Sequence, residues 1–149
     1  QPRNGERSKK LGIGVRARGL GLRFDCASCI AAGKQRERNC HGRFVGQSQP
    51  IHLGGGKFVE ECPTSAVPEH IWDTIDLFWM CYSADRSGHP CRTGYPEQGA
   101  VLDQDAWTMW AFHELERAFV LFINDTSIDR QQAVEMTAVH ERMRQLGRG

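Results

Sequence analysis

The feature that most constrains this chain is the spacing of four cysteines in its front half. Cys26-Ala27-Ser28-Cys29 is a CxxC, Cys40 follows after ten intervening residues, and Cys62 follows after a longer loop. A CxxC turn puts two sulfurs on one side of a tight loop, within reach of one ion. Two further thiolates complete a tetrahedron, and a closed shell of four is the mark of structural zinc. The predicted ligands are therefore Cys26, Cys29, Cys40 and Cys62, with His41 able to replace Cys40. Lys34, Arg36, Arg38 and Arg43 lie between the ligands, where they would offset the negative charge of a zinc tetrathiolate and keep the thiols ionised. The plain alternatives are four unrelated reduced cysteines or a redox CxxC, and the latter calls for a βαβ setting that the sequence does not display.

The opening residues carry no apolar stretch behind their basic ones, so no secretion signal is visible. Grouped cysteines in a reducing compartment bind metal more often than they pair as disulfides. The same region is short of the apolar residues needed for a core of its own, which is where a metal substitutes for burial. No apolar run approaches the roughly 18 residues of a membrane span, so no membrane partner is expected.

Charge is divided unevenly. Residues 1–43 hold 11 Lys/Arg against Glu6, Asp25 and Glu37, a balance of +8, and the remaining 8 Lys/Arg and 15 Asp/Glu give −7. A basic front suits nucleic acid through residues 1–43, an acidic protein, or the acidic half of a second copy in a homo-oligomer. Residues 1–23 read as a flexible basic arm, because four glycines interrupt the five apolar residues between Leu11 and Gly21 and glycine raises the entropic cost of ordering. Residues 24–66 form the metal-stapled loop region, with short β pieces at 43–45 and 57–60.

From residue 67 to 149 the pattern is helical. Ile71, Trp72, Ile75, Phe78, Trp79 and Tyr82 follow helical spacing over about 68–83. After a Gly/Pro loop, Asp103 looks like an N-cap to a helix over about 104–122 on the stripe Thr108, Phe112, Leu115, Phe119 and Phe122. Asn124-Asp125-Thr126-Ser127 reads as a turn. Ile128, Met136, Val139, Met143 and Leu146 then mark a third helix over about 128–146, antiparallel to the second. The expected fold is mainly α, small α+β: one compact domain over 24–149, with a zinc-stapled loop/β region packed on three helices.

No residue set announces catalysis. His113-Glu114 begins like a metalloprotease helix, but Arg117 stands where the second histidine is required. Cys81 reads as a core residue, although Cys81, His89 and Cys91 are a candidate second metal site. A catalytic zinc keeps an open position, which four thiolates would close.

One block resembles a known group. Glu61-Cys62-Pro63-Thr64-Ser65-Ala66-Val67-Pro68 enters an apolar helix ending at Trp79-Met80-Cys81. Gly94-Tyr95-Pro96 follows, and then Gly99-Ala100-Val101-Leu102-Asp103-Gln104-Asp105-Ala106-Trp107. Residues 24–120 in this way resemble small proteins encoded in the tail-gene clusters of tailed bacteriophages and prophages. Those pair an upstream CxxC with a Cys-Pro helix entry and a Leu-Asp-Gln-Pro-Ala helix start. The chain departs from them in Gly99-Ala100 for a double glycine, Asp105 for the proline, a longer basic arm and an extra helix. The resemblance implies a non-enzymatic role in virion or tail assembly. Phage virion or assembly proteins would be its partners, the host cytoplasm during assembly its location, and it brings no catalytic residue. A nucleic-acid-binding zinc module is the competing expectation.

Overall fold

A computed structural model of the chain describes residues 4–86, 89–96 and 104–146. It is mainly helical with two small hairpins. The elements are α1 (Asn4–Gly19), α2 (Cys26–Ala31), a 3-10 turn (Cys40–Gly42), β1 (Ile51–His52), β2 (Phe58–Val59), α3 (Pro63–Ala66), α4 (Glu69–Cys81), β3 (Tyr82–Ala84), β4 (Pro90–Arg92) and α5 (Ala106–Leu146). β1 pairs antiparallel with β2, and β3 with β4. Among the described residues, no helix is long and apolar enough to cross a membrane.

α4 lies within the range its periodicity predicts. Ile71, Trp72, Ile75 and Phe78 fall on its inner face and are buried. The ring of Phe78 stacks on Tyr82 with centroids 4.1 Å apart and meets Phe112 edge-on at 5.6 Å. Such offset and edge arrangements are the favoured ones for aromatic quadrupoles.

The basic arm expected over residues 1–23 is instead a helix at the centre of the molecule. α1 lies against both α4 and α5, and Leu11, Val15 and Ala17 are fully buried. Two of its four glycines, Gly14 and Gly19, are contact points. A Cβ on Gly14 would sit 2.3 Å from Ile75 Cδ1, and one on Gly19 would sit 2.5 Å from the ring of Phe122. Bare backbone at these positions lets α1 approach its neighbours closely, and the burial so gained offsets the entropic cost of glycine in a helix. Glu6 in the first turn and Arg16 and Arg18 in the last also complement the helix dipole.

The turn expected at residues 124–127 does not exist, and neither does a separate, antiparallel third helix. α5 runs unbroken for 41 residues, roughly 60 Å at 1.5 Å per residue. The residues that look like caps are used otherwise. Thr126 Oγ1 and Ser127 Oγ donate back to the carbonyls of Phe122 and Ile123, at 2.9 and 2.8 Å, a bond that hydroxyls make within helices. Asp125 accepts from Arg16 Nη2 at 2.5 Å, and Asp129 accepts from the Gly55 amide at 2.8 Å. Asp103 lies outside the described residues; the cap at the start of α5 is Asp105, whose carboxylate accepts from the Thr108 amide at 2.9 Å.

These contacts fold the basic front onto the acidic back. Arg16 bridges α1 to α5 and also donates to the Leu53 and Gly54 carbonyls of the β1–β2 hairpin. Arg18 and Arg23 both pair with Asp76 on α4. Part of the charge asymmetry is thereby neutralised within one chain.

Candidate metal centre

The cysteine region is organised from Asp25 onward. Its carboxylate accepts from the Ser28 amide at 2.7 Å and caps α2, and hydrogen bonding from the Ser28 side chain first, then from its amide, holds its pKa below the ordinary carboxylate range. Capping starts α2 at Cys26, so Cys26 and Cys29 lie one helical turn apart on neighbouring positions. Cys29 is buried and Cys26 exposed. The chain then turns back through amide bonds from Lys34 to the Cys29 carbonyl and from Cys40 to the Gln35 carbonyl, each 3.0 Å.

Asn39 closes this loop onto the segment that carries the fourth cysteine. It is buried, with a left-handed φ of 47°, a conformation asparagine tolerates better than most residues. Its Nδ2 donates to the Glu60 carbonyl at 2.7 Å, and its Oδ1 accepts from the Phe44 amide at 2.7 Å. Its own carbonyl accepts from the Cys62 amide. The same bonds turn the chain at residues 43–45, where the sequence suggests a strand; of the two expected β pieces only that within 57–60 forms, as β2. Cys62 is the buried residue that opens α3. α3 is pinned on both sides: Thr64 Oγ1 accepts from the Phe24 amide at 2.9 Å, and Ser65 Oγ accepts from the His41 amide at 3.1 Å.

This construction ties the segments that carry the four predicted cysteines to one another. Burial pushes the Cys40 thiol above its ordinary pKa, and the charges of Cys62, Cys29 and Cys26 push it the same way, in that order. The thiols therefore share one electrostatic neighbourhood. Among the described residues, no three His, Cys, Asp or Glu side chains stand close enough to grip an ion without moving. Electrostatic influence reaches beyond the roughly 2.3 Å of a zinc–sulfur bond, so the four sulfurs are neighbours that a cation would have to draw in. An all-sulfur donor set suits a thiophilic ion such as zinc.

Of the four interleaved cations, Arg38 acts directly on the site. Its guanidinium donates to Cys29 Sγ and lies 3.6 Å from the centroid of the Phe24 ring. Arg36 lies over the Phe44 ring, and Lys34 pairs with Glu37. The side chain of His41 is on an exposed residue. The second cysteine set is not drawn together. Cys81 is buried in the helical core, Cys91 is exposed opposite Ser83 on β4, and His89 lies 4.0 Å from Asp85.

Asn39, Thr64 and Ser65 are structural members of this region that cysteine spacing does not reveal. The available signal for Asn39 was its position directly before Cys40-His41-Gly42, in a stretch without periodicity. Comparison of the chain with protein-family models, with curated proteins and with solved structures returns no match.

Proposed function

We propose that this chain is a non-catalytic assembly component of a tailed-phage particle, working through protein contacts. Residues 24–62 would be fixed by one structural zinc ion on Cys26, Cys29, Cys40 and Cys62. The observation that carries this reading is the exposed half of α5. Every described side chain from Ser127 onward is exposed, Ile128, Val134 and Met136 among them. A long helix half given up to solvent is a surface for another protein. The phage setting rests on the resemblance of residues 24–120. Zinc would supply a fixed crosslink between the CxxC turn and the entry to α3, and Asn39 and Arg38 would position that crosslink.

The structure lends less to the nucleic-acid reading. Arg16, Arg18, Arg23 and Arg38 are engaged with Asp125, Asp76 and Cys29, Lys10 with the Ala66 carbonyl and Lys34 with Glu37, so at least six of the eleven front-half cations have partners within the chain. Tagged chain recovered from phage-producing cells should bring down tail or capsid proteins in salt-resistant amounts. Recovery of nucleic acid alone, released by moderate salt, would overturn the assembly reading.

A further inference from the structure

A groove of about 480 Å³ runs between α1, the β1–β2 hairpin and α5. Ile13, Phe58, Val59 and Leu121 give it an apolar wall, and Phe58 and Leu121 are each at least half exposed (57% and 50%). Lys9, Lys57 and Arg117 stand along its edge. Glu114 is held by Ser8 and lies 3.9 Å from Arg117.

The α5 side of this groove continues as an apolar stripe. Leu121, Ile128 and Met136 are separated by 7 and 8 residues, which keeps them on one face of a helix with 3.6 residues per turn. Beyond Asp129 the helix has roughly 17 further residues, about 25 Å, along which every described side chain is exposed. A helical segment of that length without tertiary contacts is marginal in water. The α5 wall of the groove and the stripe thus lie along one face of the same helix.

We propose that the chain pairs with a second copy across a two-fold axis near residue 126. The far half of α5 from each copy then lies antiparallel in the groove of the other. This inference rests on the contact-making role proposed above and names the partner. Antiparallel pairing about that axis puts residues equally distant from 126 opposite each other. Arg117 and Glu135 are each nine residues away, so Arg117 of one copy meets Glu135 of the other, twice. A self-complementary strip of this kind closes after two copies, burying both grooves and both exposed helices.

Sedimentation velocity of the full-length chain over a wide concentration range tests it. Wild-type chain should reach twice its 16.8 kDa mass. Ile128→Asp on the stripe and Phe58→Asp in the groove, both at exposed residues, should each weaken pairing by about tenfold or more. Arg117→Glu should weaken it as well, and Arg117→Glu combined with Glu135→Arg should restore it. A wild-type chain that stays monomeric throughout would overturn the pairing. So would a dimer lost through Ile128→Asp but indifferent to Phe58→Asp and Arg117→Glu, which would mean that exposed helices pair only with each other. A monomeric chain that still recovers tail or capsid proteins removes the self-pairing and leaves the assembly role standing.

Discussion

Two glycines in α1 differ by what surrounds them. Gly12 has nothing within 4 Å of where a Cβ would stand, whereas the same atom on Gly14 would collide with Ile75. Gly12→Ala should therefore raise stability by about 0.5–1 kcal/mol, because alanine loses less conformational freedom in a helix. Gly14→Ala should lower it by about 1–3 kcal/mol through overpacking. Urea unfolding of both variants measures the difference, and equal effects would mean that α1 does not sit against α4. Tyr82 gives a pH signature. Burial drives its hydroxyl pKa upward, its hydrogen bond to Glu116 drives it the same way, and Arg92 opposes. The folded-state value is raised, so the contribution is complete below the ordinary phenol pKa of about 10 and is lost as pH rises above it. Stability should fall on the alkaline side from about pH 10, and Tyr82→Phe should flatten that decline.

α5 is one element with two environments. Its first half contributes Ala111, Phe112, Leu115, Phe119 and Phe122 to the core, and its second half meets solvent. Backbone amides up to about residue 126 should therefore exchange slowly with deuterium. In dilute solution, those beyond Asp129 should exchange faster by orders of magnitude, as lightly packed segments open locally. Uniform protection along all 41 residues in dilute chain would contradict this division. The helix survives residues 124–127 because their side chains turn inward to the chain. The hydroxyls of Thr126 and Ser127 bond to α5 carbonyls, and Asp125 and Asp129 to Arg16 and Gly55.

For the molecule as a whole, the thiol cluster and the helical core are joined through Cys62 and α3. Metal binding and ordering of residues 24–62 should be linked. In zinc-loaded protein, Cys29→Ser and Cys62→Ser should each lower the melting midpoint, as should a chelator. Exposed Cys91→Ser should leave it unchanged. Indifference of the first two variants would remove zinc from the account. Arg16 holds the molecule together in another way, since one buried guanidinium ties α1, the β1–β2 hairpin and α5 at once.

Local pattern determined α4 and the core stripe in the first half of α5, and it marked the four cysteines as candidate ligands. Each depends on residues close in sequence or on a spacing that one ion can test. Residues 1–23 and 124–127 were misread because their local signals point outward. Glycines suggest flexibility until Ile75 and Phe122 approach them. Asn, Asp, Thr and Ser suggest a turn until Arg16 and Gly55 engage the acids. The partners that decide these segments lie between 61 and 109 residues away. Only tertiary packing brings them together, through burial and charge pairing that no local propensity encodes.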